Sequence, residues 1–304
     1  MFRLAHLSDP HLGPLPPVSL GDLVSKRIFG YLNWYLHRSR SVLQAGILEA
    51  IIADIRAAAV DHVAVTGDLV NLALQAEFPR AADWLTQFGP PQDVSVVPGN
   101  HDAYVPGAFV QACAAWADNM RGDRAGEARF PYLRRRGPIA LIGVSTAKAT
   151  APLMATGHID AGQIAGLASL LEETGREGAC RIVMIHHPPV PGITRDYKRL
   201  VETDEIRAIL SRYGAELLLH GHTHKASLHT ADGPLHPVPI VGVPAASLHA
   251  SPEKRGAGWN LFEIDGSPGN WTIRMTERGF APGRDVIETL SSKMLVPPVA
   301  PPAA

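Results

Sequence analysis

Residues 62–68 read His62-Val63-Ala64-Val65-Thr66-Gly67-Asp68. A short apolar run closed by Gly reads as a buried strand, here one that ends in a carboxylate. Four other runs have the same form. Residues 3–9 lead into Asp9 and His11, residues 94–100 into Asn100 and His101, residues 181–186 into His186, and residues 216–220 into His222 and His224. Helical patterns lie between them. Val42, Leu43, Ile47, Leu48, Ile51, Ile52 and Ile55 recur at helical spacing, behind Ser41 and Gln44, which stand at the spacing of a capping box. Repeated strand–helix–strand order favours parallel pairing with helical crossovers. In an open α/β sheet, ligands collect beyond the carboxyl ends of the strands. Five strands delivering Asp, His and Asn to that edge outline a two-metal hydrolase site.

Further helices are expected near residues 75–88, 106–117 and 203–213, and over 164–171 behind Asp160 and Gln163, which repeat the capping spacing. Residues 121–129 are polar and loop-like. Antiparallel strands are expected on either side of Arg136-Gly137. From residue 227 to 278 the pattern turns to strands, with turn residues at Asp232-Gly233, Asp265-Gly266 and Pro268-Gly269. No Pro/Gly linker is long enough to separate two domains. The expectation is one domain over residues 1–280, two packed sheets with helices outside. Residues 281–304 would form a C-terminal extension, Pro- and Ala-rich and disordered at its end.

The chain has 304 residues, 46% hydrophobic and 19% charged, which suits a soluble protein with a sizeable core. A formal net charge of −1 gives no global pull toward nucleic acid. Cys113 and Cys180 have neither metal-ligand nor redox spacing. The first strand begins almost at once, leaving no room for a signal peptide, and no apolar run reaches the roughly 18 residues of a membrane span. A cytoplasmic location is the default expectation.

The residue types suit a metal centre. Asp9 and His11 can face one ion if the chain turns at Pro10. Gly67 permits a tight turn and a close backbone approach. Asp68 has two oxygens and can be shared between two cations. Asn100 offers a neutral carbonyl oxygen, and His101 beside it can face substrate. His186-His187-Pro188-Pro189 and Gly221-His222-Thr223-His224 supply more imidazoles. Each motif alone is weak. Their force lies in following strands, in one order, within one domain. Nitrogen and oxygen ligands without thiolate suit Mn, Fe or Zn.

Asp9 with His11, Gly67-Asp68, Gly99-Asn100-His101-Asp102, His186 and Gly221-His222-Thr223-His224 together resemble the signature of the calcineurin-like metallophosphoesterases, with no signature position missing. The motifs span residues 9–224, and the strand-rich stretch to about residue 278 fits the same fold. The resemblance implies a four-layer α/β/β/α sandwich, two mixed sheets flanked by helices. It implies two divalent metal ions: one on Asp9, His11, Asp68 and His224, the other on Asp68, Asn100, His186 and His222. His101 would face the scissile phosphate, with Asn100 also near substrate. Within the family the chain looks most like the cyclic-nucleotide and glycerophosphodiester phosphodiesterases.

Two dications set against Asp9, Asp68 and a hydroxide leave a positive site that attracts a phosphate ester. Coordination lowers the pKa of bound water enough to supply hydroxide near neutral pH. His101 can protonate the leaving oxygen or stabilise its charge. The expected reaction is hydrolysis of a small phosphodiester, such as a 3′,5′-cyclic nucleotide. The rivals are a pyrophosphatase acting on a nucleotide-linked lipid precursor of the UDP-diacylglucosamine type, a phosphomonoesterase, and a non-catalytic scaffold, which the complete ligand set disfavours. His187 either orients substrate or packs. Asp102 either orients His101 or caps the loop at Tyr104. His6, His62, His158, His220, His229, His236 and His249 are read as structural.

Residues 13–40 interrupt the pattern directly after His11. Phe29, Tyr31, Trp34 and Tyr35 interleave there with Lys26, Arg27, Arg38 and Arg40. Leu20, Leu23, Val24, Arg27, Ile28, Tyr31 and Tyr35 fit helical spacing. Three readings stand: a helical hairpin packed on the domain, a cap over the pocket, or a peripheral membrane contact, since basic and aromatic amphipathic helices lie in lipid interfaces.

Overall fold

In the computed structural model, which describes residues 1–37, 44–251 and 253–297, the apolar runs become the strands their patterns specify. The first sheet contains β1 (Phe2–Leu7), β2 (His62–Val65) and β3 (Val94–Val96), parallel to one another at one side. The second contains β4 (Tyr132–Arg136), β5 (Ile139–Gly143), β6 (Cys180–Met184), β7 (Leu217–His220), β8 (Ser227–Ala231) and β9 (Val238–Gly242). Its order is β4-β5-β6-β7-β9-β8, with β5, β6, β7 and β9 parallel. Three long antiparallel strands, β10 (Gly258–Ser267), β11 (Asn270–Phe280) and β12 (Ile287–Val296), complete the first sheet in the order β12-β11-β10-β1-β2-β3. β12 lies inside the segment that the sequence sets apart as an extension, and it pairs along β11. Its alternation is too polar to announce a strand, because one face meets solvent. The Pro/Ala-rich end from residue 298 lies outside the described residues.

Side-chain alternation shows how the layers pack. Cys180, Ile182 and Met184 of β6 join Leu217 and Leu219 of β7 in the core shared with the first sheet. Val183 and Leu218 point the other way, into a second core with Leu167, Leu171, Ile206 and Leu210. Those four belong to the helices here called α7 (Ala161–Arg176) and α8 (Thr203–Tyr213). On the first sheet, α3 (Gln44–Ala57) buries Leu48, Ile51, Ile52 and Ile55. Each such side chain contributes about 1.5–3 kcal/mol when fully buried. The architecture is a four-layer α/β/β/α sandwich. Ser41, the expected cap of α3, lies outside the described residues, whereas Asp160 caps α7 by accepting from the Gln163 amide at 2.9 Å.

The expected helix at 75–88 is α4 (Glu77–Leu85) plus a short 3₁₀ turn, with Pro79 tolerated in the first turn. The one expected at 106–117 is α5 (Ala108–Ala115), followed by α6 (Ala117–Met120). The insertion holds α1 (Leu20–Leu23) and α2 (Arg27–His37).

Candidate metal centre and substrate cavity

The chain turns sharply as it leaves β1, β2 and β7, and the turns are strained. Asp9, His11, Asp68, His222 and His224 all have φ between 41° and 66°. Few non-glycine residues adopt this region, and strain of this kind collects at functional sites. Gly67 itself has φ 94°, and a Cβ there would lie 2.5 Å from the Gly99 amide nitrogen. Glycine at 67 therefore lets the loop after β2 touch the loop after β3. The loop after β1 zips onto the loop after β2 through Asp9 N–H to Gly67 O (2.9 Å), His11 N–H to Asp68 O (3.1 Å) and Leu12 N–H to Leu69 O (2.8 Å).

Potential ligand atoms of Asp9, His11, Asp68 and His224 lie within 4.8 Å of one another, as do those of His186, His187 and His222. Asp68 Oδ2 stands between the two groups, 3.9 Å from His11 Nε2 and 3.4 Å from His186 Nε2. Asn100 Oδ1 is 3.3 Å from His186 Nε2. The sequence suggests that Asp68 offers two oxygens. The fold engages Oδ1 with the His101 amide at 2.7 Å and turns Oδ2 alone to both groups.

Backbone carbonyls set the imidazole tautomers. His11 Nδ1 pairs with Val70 O (3.3 Å) and His186 Nδ1 with Thr66 O (2.6 Å), so Nε2 of each is the nitrogen turned inward, toward the place an ion would take. His222 reverses this, with Nε2 donating to Lys198 O at 2.9 Å and Nδ1 left as the ligand atom. Such partners orient a metal-binding ring and raise its basicity. His187 is different. Its Nδ1 pairs with Thr146 Oγ1 (2.7 Å) and its Nε2 with Ala155 O (3.1 Å), and the side chain is fully buried. Neither nitrogen is available to an ion or a substrate, despite its place in the second group.

The electrostatics call for cations. Burial works to raise Asp9 and Asp68, but nearby imidazoles, His224 for Asp9 and His186 for Asp68, outweigh it and hold both carboxyls below their ordinary value. Burial works to lower His186, yet Asp68 and Asp9 carry it up to about 9. Burial and His186 press His222 down to about 3, so it stays neutral, as a ligand must. Asp9 Oδ1 is buried and accepts no hydrogen bond of good geometry, although His224 Nε2 lies 3.1 Å away. A buried carboxylate oxygen without a donor suits a metal ion. The donor set therefore fits two divalent ions.

Asp102 neither orients His101 nor caps the loop at Tyr104. Its buried carboxylate accepts from the amides of Gly99 (2.8 Å), Asp68 (2.8 Å), Leu69 (2.9 Å) and Val70 (3.1 Å), clamping two site loops together. Nothing local in the sequence announces the three partners that follow β2. His101 is oriented instead by Asn71 O, 2.5 Å from Nδ1. Asp102→Ala should lower the unfolding free energy by on the order of 3 kcal/mol, since four buried donors lose their acceptor. Asp102→Asn should fall between, keeping one acceptor oxygen. An unchanged urea midpoint for both variants would overturn the clamp.

His101 and Asn100 open onto a cavity of about 220 Å³, and the insertion forms its wall through Lys26, Phe29, Gly30 and Trp34. Tyr104 stacks on His101 with ring centroids 5.4 Å apart. Lys26 Nζ bonds Thr150 Oγ1 (2.7 Å) and Met154 O (3.1 Å) and lies 4.6 Å from the centre of the Tyr104 ring, and burial lowers its pKa to about 8. Arg27 also turns inward, to the carbonyls of Leu72 and Ala73. The outer face of α2 is apolar, with Ile28, Phe29, Leu32 and Tyr35 exposed. Arg38 and Arg40 lie outside the described residues. A larger cavity of about 740 Å³ opens at the amino ends of β6 and β7, but Arg181 and Glu216 at its floor already pair at 2.9 Å.

Residues 2–226 match the model of the calcineurin-like phosphoesterases. The chain belongs to that family, and it is a metal-dependent phosphoric ester hydrolase. A protein of Synechococcus sp. described as a probable cyclic nucleotide phosphodiesterase is 24% identical over 225 residues, covering 73% of this chain and 78% of the relative. Among solved structures, a dimetal phosphatase from Danio rerio matches with a TM-score of 0.59 at 13% identity, covering 95% of this chain and 99% of that one. A purple acid phosphatase from yellow lupin matches with a TM-score of 0.58 at 12% identity, covering 100% of this chain and 57% of that one. These structures share the fold. Among the described residues, no helix is long and apolar enough to cross a membrane.

Proposed function

We propose that this protein is a binuclear-metal phosphodiesterase acting on a small phosphodiester. One ion would be held by Asp9, His11, Asp68 and His224, the other by Asp68, Asn100, His186 and His222. The observation that carries the reading is Asp68 Oδ2, which faces both groups while Oδ1 is held by a backbone amide. Bound divalent ions supply activated water and neutralise charge on the phosphoryl oxygens. Asn100 and His101 meet the ester, and His101 delivers a proton toward the leaving oxygen. The Synechococcus relative makes a 3′,5′-cyclic nucleotide the first substrate to test. The metals of choice are Mn, Fe and Zn. A reconstituted screen over phosphomonoesters, phosphodiesters, cyclic nucleotides and lipid pyrophosphates tests the reading. Turnover of monoesters with none of diesters would sink it.

A second reading, a nucleotide-linked lipid pyrophosphate as substrate, draws on the exposed face of α2. Phe29 is 47% exposed and also lines the cavity, so an apolar surface runs from outside toward His101. With Lys26 and Arg27 turned inward, any membrane contact would rest on apolar side chains. Removing Phe29 and Trp34 together should raise KM several-fold for the natural ester and spare bis(p-nitrophenyl) phosphate. Ile28→Ser with Leu32→Ser should release the protein from phospholipid vesicles only if this face meets lipid. Should neither pair change binding while stability falls, the insertion is a packed hairpin and nothing more.

A further inference from the structure

A second cavity, about 350 Å³, adjoins the metal centre, and its wall includes His222. Three cations frame it: Arg195, Lys198 and Lys225. Among the described residues, none of the three has a carboxylate within ion-pair distance, so no acidic side chain neutralises this wall. Asp196, between two of them in sequence, does not line the cavity. Arg195 contacts only a neutral partner, Tyr197 Oη at 3.3 Å. The cluster is held against the centre, because Lys198 O accepts from His222 Nε2 at 2.9 Å. Lys198 also lines the His101 cavity, so this one residue borders both chambers. What sets these three apart is their convergence on one concave wall beside a candidate metal ligand.

We propose that this chamber is an anion subsite that takes a second phosphate group carried by the substrate whose ester phosphate sits on the metal centre. The proposal rests on the phosphodiesterase reading and narrows it. A 3′,5′-cyclic mononucleotide has one anionic phosphate, which the metals take, and it leaves the three cations unmatched. A substrate with a further phosphate monoester matches them. Arginine forks onto phosphate oxygens and lysine meets them as a point charge. A concave wall of one sign also concentrates anionic ligands near the site.

The test is titration calorimetry on the metal-loaded protein. The ligands are adenosine 5′-monophosphate, adenosine 3′,5′-bisphosphate and adenosine 2′,5′-bisphosphate. At least one bisphosphate should bind about tenfold more tightly than the monophosphate, the usual worth of a hydrogen bond to a charged group. The margin should shrink at high salt. Lys198→Ala, Lys225→Ala and Arg195→Ala combined should erase it. All three residues are exposed, and Lys198→Ala keeps the carbonyl that holds His222, so the fold and the metal content should survive. Equal affinity for mono- and bisphosphates, or a margin that persists in the triple variant, would overturn the subsite. Calorimetry needs no turnover. An enzyme that binds bisphosphates tightly but cleaves no phosphodiester would instead refute the parent reading alone.

Discussion

Asp68→Ala should abolish phosphodiester hydrolysis and remove bound metal, with the fold retained. The carboxylate faces both sets of ligand atoms. Its loss weakens two ions at once, and the remaining ligands include neutral imidazoles and a neutral amide that attract a dication less. The sheet core does not depend on it, since Val63, Ala64 and Val65 of β2 stay packed. Asp68→Asn separates charge from shape. It keeps an oxygen for the His101 amide, yet it lacks the negative charge and should lose metal nearly as well. Metal analysis by mass spectrometry, beside turnover at saturating Mn, reads both effects. Full activity in a metal-depleted Asp68→Ala protein would defeat the binuclear mechanism.

His101→Ala should keep both ions and lose roughly 10²–10⁴-fold in turnover, the usual contribution of a positioned proton donor. The ring's Nδ1 is engaged by Asn71 O, and its stacking on Tyr104 holds it at the cavity. In the acid role proposed for His101, the proton delivered would therefore be the one on Nε2. Esters with good leaving groups need no protonation. The deficit should shrink steeply for nitrophenyl esters and stay large for alkyl esters. A uniform loss across leaving groups would remove the acid role. Loss of metal from this variant would make His101 a ligand.

The parallel strands were legible because they are buried on both sides and so read as continuous apolar runs. The residues that end them were legible because few other reasons place Asp, Asn and His after five such runs. β12 was not, since its outward positions are polar and it pairs with neighbours that only the folded chain supplies. The roles of Asp102 and His187 were hidden for a related reason. Most of their partners are far away in sequence, and motif spacing reports only where a residue sits. The insertion was half legible. Its helical spacing showed the helix and left a packed hairpin, a cap and a membrane contact open, but nothing in the pattern showed that Lys26 and Arg27 turn inward and leave the apolar face outside.

The carbonyls of Thr66, Val70, Asn71 and Lys198 hold four imidazoles in place. A carbonyl is common to every amino acid, so the orientation of the rings is a property of the chain's path and is indifferent to which residues occupy those four positions. Where such a residue is also exposed, as Lys198 is, its side chain can change the charge around the centre without disturbing the ring its carbonyl holds. Lys198 illustrates the division, with a main chain committed to the rings and a side chain open to selection by whatever the cell offers as substrate.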